Sequence, residues 1–421
     1  MKRKLIWVVQ LLFALCFIFS GIVKCIDPAG TAIKITEYLR FFGLDMLTDL
    51  SMGIAWLLSI VEFCCGFNLL LGHARYLSLA TASLLLLAFT PLTLWLALTG
   101  AIEDCGCFGD AVHLTGWQTF FKNLVLVAML VVLWWKRGSL YRLHSSTFYT
   151  FYIYWAFGCA VWLCWLGTWR EPFIDFRPFK PGTDLQQSVI GEEADSKSVS
   201  FTCIYQKDGQ QREFPLDSIP DEADGWEFVT TVEYVAVNAV SPNHIDFYVK
   251  NDEGAIFTER LLTTPGYTIL LLSHSLDRAS QHDIDRIEQL SEYAEDNGYP
   301  FYCITARDAE QLDRWRYNTG AEYPFLFTDA SIVQTICRSN PGVMLLHNGI
   351  ICWKQPLSQL DVQALTSGKL NEQTSGHIEE NEVTKRILLL LFLLFAPFPL
   401  FLLLEIAQKH QSTIKKDSKD A

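Results

Sequence analysis

Between two long apolar runs, 76–98 and 120–135, the chain reads Glu103-Asp104-Cys105-Gly106-Cys107-Phe108-Gly109-Asp110. Each flanking run is close to the roughly 20 residues that about 30 Å of hydrocarbon requires of a helix. The octapeptide is polar and punctuated by glycine, so it predicts a loop at a membrane surface whose paired thiols are its obvious chemistry. Working outward, further apolar runs lie at 5–23, 54–72, 149–167 and 387–404. The first follows Met1-Lys2-Arg3-Lys4, as a secretory signal would. It is longer than a signal core, however, and no small-x-small cleavage site precedes Lys24, so it is read as a retained span. The expectation is a membrane α-helical bundle of six spans.

With 50% hydrophobic and 19% charged residues, the 421-residue chain is too apolar for one soluble globule and too charged for a pure bundle. Of its 46 acids and 33 bases, 35 acids and 16 bases fall between Trp169 and Thr384. An acidic domain on a basic-flanked membrane part argues against a nucleic-acid partner. The basic flanks also set an orientation. Lys2, Arg3 and Lys4, then His73 and Arg75, then Lys136, Arg137 and Arg142, then Lys409, Lys415 and Lys416 all fall on one side under alternating crossings. Both termini are thus expected in the cytoplasm. The Cys105–Cys107 loop and the acidic domain are expected to face outward, into the oxidising compartment.

The expected domains are 1–138 as a four-helix membrane domain, 147–169 as a fifth span, 170–198 as an extended tether, 199–371 as an external α/β domain, 386–404 as a sixth span and 405–421 as a tail. Ile35, Tyr38, Leu39 and Phe42 predict a helix lying on the membrane surface after span one. In 199–260, Asp208-Gly209 and Asp252-Glu253-Gly254 mark hairpins. Strands are predicted at 267–272, 301–305 and 325–327, and helices at 284–297, 309–319 and 332–338. An antiparallel pair follows at 343–347 and 350–353 across Asn348-Gly349, and 357–367 closes as a helix.

That order, with Pro341 entering the penultimate strand, resembles the thioredoxin fold in membrane-anchored form. The resemblance implies a cis-proline at Pro341 in the context Asn340-Pro341-Gly342. A catalytic member would start its first helix with Cys-x-x-Cys, where the helix terminus stabilises a thiolate. Here the stretch is Ser273-His274-Ser275-Leu276-Asp277-Arg278-Ala279-Ser280. The domain therefore reads as a binding module, with His274, Ser275, Asn340 and Pro341 as its contact residues.

The membrane part resembles the DoxX/MauE group of four-helix proteins. The carriers are Ser20-Gly21-Ile22-Val23-Lys24 with Asp27-Pro28, then Glu62 with Gly66 and Gly72, then Asp104-Cys105-Gly106-Cys107-Phe108-Gly109. Together with the fifth span, the Asp175-Phe176-Arg177-Pro178 tether and the α/β domain, the chain resembles DoxX-type proteins of Bacteroidetes. The MauE group is associated with maturation of a disulfide-rich amine dehydrogenase, and its bundle is similar to that of vitamin K epoxide reductase, which passes thiol electrons to a quinone. The resemblance implies a bacterial inner membrane with the loop and outer domain in the periplasm, and a quinone-linked thiol–disulfide oxidoreductase acting on periplasmic protein thiols; fold similarity alone does not fix function.

A disulfide between residues i and i+2 is strained and oxidising, which suits Cys105 and Cys107 to electron relay. Glu103, Asp104 and Asp110 raise their thiol pKa, and Lys122 lowers it. Cys25 is the expected exchange partner. Glu62, beside Cys64 and Cys65, reads either as a proton path or quinone contact or as a protonated acid bonded to a neighbouring helix. Cys16, Cys64, Cys65, Cys159 and Cys164 read as packing residues. Cys203, Cys303, Cys337 and Cys352 allow two bridges in three pairings, or buried free thiols. No metal site, covalent cofactor or phosphate loop is expected. The competing reading is a non-catalytic scaffold that anchors the outer domain in the lipid membrane.

Overall fold

The computed structural model describes residues 3–72, 74–100, 105–141, 146–191, 197–207, 210–215, 227–237, 245, 247–378, 383–397, 399 and 403. The chain divides into two compact units, Met1–Arg177 with Thr335–Ser339 and Asn381–Ala421, and Pro178–Gln334 with Asn340–Glu380.

The first unit holds α1 (Arg3–Ile26), α2 (Pro28–Phe41), α3 (Ser51–Leu71), α4 (Arg75–Thr99), α5 (Gly116–Trp135) and α6 (Ser146–Trp169). All but α2 are long and apolar enough to cross a membrane, so the unit is a membrane helical bundle. The sixth expected run begins as the helix Val383–Phe395; most of its remainder and the tail 405–421 lie outside the described residues. The chain leaves α1 through Asp27, whose carboxylate accepts from Gly30 N at 2.9 Å, with Pro28 in the first helical position of α2. The buried residues of α2 are Pro28, Thr31 and Ala32. The expected Ile35–Phe42 stripe is not the buried face: α2 is held by its first turn, and at its far end Phe41 and Phe42 stay exposed and meet the Trp95 ring.

Glycine lets α1 and α3 touch backbone to backbone. A Cβ on Gly21 would lie 2.4 Å from Phe63 N, and one on Gly66 would lie 2.7 Å from Ile18 N and 2.9 Å from Ala14 O. In lipid, where no hydrophobic force draws helices together, such close approach supplies the association. Gly21→Val and Gly66→Val are therefore each expected to cost about 1–3 kcal/mol by overpacking. The check is the fraction of full chain that stays dispersed after graded heating in detergent; wild-type behaviour of both variants would refute the packing argument.

Side chains tie the helices at polar points. Gln10 Nε2 donates to Leu69 O at 2.7 Å, Asn123 Nδ2 to Thr93 Oγ1 at 3.1 Å, and Trp134 Nε1 to Ser83 Oγ at 2.9 Å. Trp155 Nε1 donates to Leu393 O at 3.2 Å. Four residues beyond Leu393 stands Pro397, which has no N–H to offer that carbonyl, so the indole takes the missing donor's place.

After α6 the chain runs through bends and turns to a π-helical segment, Gln186–Gly191, rather than as the extended tether expected over 170–198, and it is packed rather than free. Arg177 is 1% exposed, its Nε is 2.7 Å from Asp175 Oδ1, and it is also paired with Glu171. Glu171 Oε1 in turn accepts from Arg338 N at 2.8 Å and Ser339 N at 3.1 Å in the Thr335–Ser339 segment of the same unit.

In the second unit, β1 (Lys197–Lys207), β2 (Gln210–Pro215) and β3 (Glu227–Val237) form an antiparallel sheet of order β2-β1-β3. The side chains of these strands, Cys203 included, and the turn at Asp208-Gly209 lie outside the described residues. The chain continues as α7 (Thr258–Leu262), β4 (Tyr267–Ser273), α8 (Gln281–Asn297), β5 (Phe301–Thr305), α9 (Ala309–Thr319), β6 (Phe325–Phe327), α10 (Ala330–Ile336), β7 (Gly342–His347), β8 (Ile350–Pro356) and α11 (Val362–Leu365). Strands β4 to β8 make one mixed sheet, β6-β5-β4-β7-β8, parallel among β4, β5 and β6 and antiparallel across β7 and β8. Asn348 at φ 52 and Gly349 at φ 78 close the β7–β8 hairpin, as a two-residue loop with both residues left-handed requires.

Both edges of this sheet are covered. Gly182 and Leu185 donate their N–H groups to Ile351 O at 2.7 Å and Gly349 O at 3.0 Å, and Lys250 pairs with Phe327. The closing helix expected over 357–367 is broken. A 3₁₀ turn, Leu357–Gln359, ends before Asp361, whose carboxylate caps the short α11 through Ala364 N at 3.0 Å.

Candidate functional site

The Cys105–Cys107 loop is shaped by its glycines. Gly106 at φ 68 and Gly109 at φ 52 occupy left-handed backbone, and Gly109 N donates to Gly106 O at 3.1 Å. This tight turn places the two free, half-buried thiols in direct contact. The loop is held from its carbonyls: Tyr38 Oη donates to Cys105 O at 3.3 Å, and Ser20 Oγ lies 2.8 Å from Cys107 O. Glu103 and Asp104 lie outside the described residues. Asp110 takes Arg338 Nη2 at 3.1 Å, and Arg338 also binds Asp27 at 2.7 Å. Burial raises the Asp110 pKa against the opposing pull of Arg338.

Cys107 faces a cavity of about 30 Å³ lined by Cys16, Ser20, Lys24, Glu62, Phe89, Phe108, Lys122 and Asn123, among others. That is room for a water molecule or two, and not for a quinone ring. Lys24 Nζ lies 2.8 Å from Glu62 Oε2 and 2.9 Å from Oε1, with side chains only 4% and 6% exposed. Ser20 Oγ accepts from Lys24 at 3.3 Å and is 2.8 Å from both Glu62 Oε2 and Cys107 O, so its single proton can serve either acceptor. Lys122 Nζ lies 4.3 Å from the Phe108 ring centroid, a cation–π contact beside the loop.

The two thiols are held in unlike states. The Cys107 pKa is pushed down to about 6, first by the hydrogen-bonding Cys105 thiol and then by Lys122 and Lys24, against burial and Glu62. Cys105 is raised by the same contact and by burial. The arrangement is one nucleophilic thiolate with a protonated neighbour, the form in which a dithiol attacks a disulfide.

Of the residues expected at this site, Cys105, Cys107, Glu62 and Lys122 gather around one loop and cavity. Cys25 is fully buried and its side chain contacts Cys164 in an apolar cluster with Phe63 and Phe67, so the contact found for it is Cys164 and not the Cys105–Cys107 pair. Lys24 and Ser20 carry the electrostatics, and the sequence marks them only as motif residues. Their signal is the spacing Cys16, Ser20, Lys24, which puts three polar or thiol side chains on one helix face.

In the second unit, Asn340, Pro341 and Ser275 come together where β4 ends and β7 begins. Asn340 Oδ1 accepts from Ser273 Oγ at 3.0 Å and Ser275 N at 3.3 Å, and its Nδ2 donates to Ser275 O at 2.7 Å. The Asn340–Pro341 bond is cis. His274, half-buried, adjoins them. Cys303, Cys337 and Cys352 are buried free thiols, and burial raises all three, Cys352 to about 11. No group of acids, cysteines and histidines able to hold a metal occurs among the described residues.

Residues 2–136 match the family described as methylamine utilisation protein MauE. Residues 199–236 match a domain of unknown function, DUF8463. The chain is similar to Protein TlpB of Flavobacterium psychrophilum, with 25% identity over 130 residues, which is 30% of this chain and 35% of that protein. It thus covers about a third of that relative's length. No solved structure matches. Residues 2–136 are thus similar to the MauE family, and with its five helices long and apolar enough to span a bilayer the chain is a membrane protein.

Proposed function

We propose that the chain is a membrane thiol–disulfide exchange protein whose working couple is Cys105 and Cys107. The observation that carries this reading is the lowered Cys107 thiol, in contact with Cys105 and facing Lys24 and Lys122. The Cys107 thiolate attacks a partner disulfide and forms a mixed disulfide. Cys105 then displaces the second partner sulfur, giving a Cys105–Cys107 disulfide and a reduced partner. In the opposite direction, two external thiols reduce that disulfide and leave as their own disulfide. Each complete exchange moves two electrons, and the thiol protons stay with the reduced side. The Ser20–Lys24–Glu62 cluster holds protons next to Cys107.

The wider setting belongs to the same proposal. The loop faces the periplasm from a DoxX-like bundle in the inner membrane, with both termini cytoplasmic, and serves maturation of exported proteins. The terminal electron acceptor is a membrane quinone, meeting the dithiol outside the small cavity. The second unit is a thioredoxin-like binding module, supported by its β6-β5-β4-β7-β8 order and by the absence of cysteine from Ser273 to Ser280.

The test is acid-quenched alkylation of the full chain in membranes. Cys105 and Cys107 should be partly oxidised, and should become reduced when quinone is depleted. Cys105→Ser and Cys107→Ser should each abolish turnover as fully as the double variant, because the dithiol acts as one unit. A pair that never changes redox state, with normal partner folding in the double variant, leaves the scaffold reading. Reporter fusions after Trp135 and Gly182 should read cytoplasmic and external.

A further inference from the structure

Cys25 and Cys164 are a second pair of contacting thiols, with no role in the exchange described above. Both are fully buried, and their side chains interact directly. Cys25 stands one residue before the end of α1, and Cys164 stands near the end of α6. What brings them level is Gly167: a Cβ there would come within 2.4 Å of Ile26 O and 2.8 Å of Pro28 Cδ. The two backbones therefore touch at this point. Cys25 precedes Ile26, and Cys164 precedes Gly167 by about one helical turn, so the cysteines flank the closest approach. A disulfide requires Cα atoms about 4.4–6.8 Å apart, a separation that helices in backbone contact provide. The end of α6 is also fixed in register, because Trp56 Nε1 donates to Thr168 Oγ1 at 3.0 Å and Thr168 Oγ1 donates to Cys164 O at 2.7 Å.

We propose that Cys25 and Cys164 form an interhelical disulfide, a second redox couple that fastens the end of α6 to α1. The step is two exchanges with a disulfide R–S–S–R′. One cysteine attacks it, forming a mixed disulfide and releasing R–SH; the other then displaces R′–SH and closes the Cys25–Cys164 bond. Two electrons pass from the pair to the donor disulfide, and the two thiol protons leave with R–SH and R′–SH. Because the pair lies in an apolar cluster with Phe63, Phe67 and Ile174, the donor is a membrane-permeant disulfide. The inference stands whether or not the Cys105–Cys107 loop performs the exchange proposed for it.

The experiment treats full-length protein in membranes with a permeant aromatic disulfide, dipyridyl disulfide. It is then denatured, alkylated, and mapped by non-reducing peptide mass spectrometry. A Cys25–Cys164 linked peptide and the loss of two alkylatable thiols are expected. Both should also appear in the Cys105→Ser/Cys107→Ser background, and in Cys64→Ser, which removes the neighbouring thiol. Cys25→Ser should abolish the link and leave Cys164 alkylatable. A link in the wild type that disappears in the double-serine background would overturn the claim that the couple closes independently of the loop. Recovery of Cys25 and Cys164 as separate alkylated or pyridyl-capped thiols in the wild type would overturn the proposal, and that readout requires no variant to fold.

Discussion

Cys107 is expected to be alkylated by iodoacetamide in membranes with a midpoint near pH 6, while Cys105 stays slow across the same range. The sign follows from the lowered thiol. Above pH 6 the thiolate prevails and the rate is flat; below it, the rate falls about tenfold per pH unit as the sulfur protonates. The largest cause is the Cys105 thiol donating to the Cys107 sulfur. Cys105→Ala removes that donor and should move the midpoint upward, whereas Cys105→Ser keeps a hydroxyl that can donate and should move it less. Both variants lose exchange, since each lacks the second sulfur. Lys122→Met should also raise the midpoint, because Lys122 is the next favourable charge on that sulfur. A midpoint near the ordinary thiol range of about 8.5 in the unaltered chain would remove the chemical basis of the proposed activity.

Lys24→Met and Glu62→Gln are expected to be the most damaging single changes to the bundle. The pair is almost wholly buried, with Nζ 2.8 Å from Oε2. Deleting one partner of such a pair leaves a charge without its counter-ion, at a cost of about 3–5 kcal/mol. Replacing both, as in Lys24→Met/Glu62→Leu, leaves no orphan charge and should recover most of the stability. Denaturant midpoints of the full chain in detergent would measure all three. Singles no less stable than the double would show that the two charges do not depend on each other. The double should still exchange thiols slowly, because Cys107 loses the Lys24 ammonium that favours its thiolate.

How much of this was legible in the sequence depends on the range of the physics. The spans could be read because twenty apolar residues in a row have few other meanings, and α1, α3, α4, α5 and α6 begin and end within a few residues of the runs. The strands of the mixed sheet were equally clear: Phe301–Thr305 and Phe325–Phe327 are short apolar blocks between turn signals, and Asn348-Gly349 specifies its hairpin. At the site, Cys105-Gly106-Cys107 announced itself, since two glycines and two thiols in five residues prescribe a turn and a chemistry.

What could not be read was pairing. In the sequence Lys24 is only the last residue of a motif at the outer end of span one, and the approach of α3 turns it into the counter-ion of Glu62. Cys25 looked free to meet the loop because its helix ends nearby. Its contact, Cys164, is chosen by Gly167, whose importance shows only when Ile26 O is 2.4 Å from a missing Cβ. The segment 357–367 has enough apolar residues for one helix. Asp361 in its middle is a better cap than a helix interior, and the chain breaks there.

The Trp155–Leu393 hydrogen bond joins residues 238 positions apart, and it has a bearing on biosynthesis. Span five leaves the ribosome long before its partner exists. In the interval, its face of Tyr154, Trp155, Gly158 and Trp162 meets lipid, and the indole N–H has nothing in hydrocarbon to bond. The helix Val383–Phe395 sets Leu390, Leu393 and Leu394 beside that face, and with them the Leu393 carbonyl that Pro397 leaves unclaimed. The fifth span thus has its indole N–H satisfied only when the helix Val383–Phe395 packs beside it.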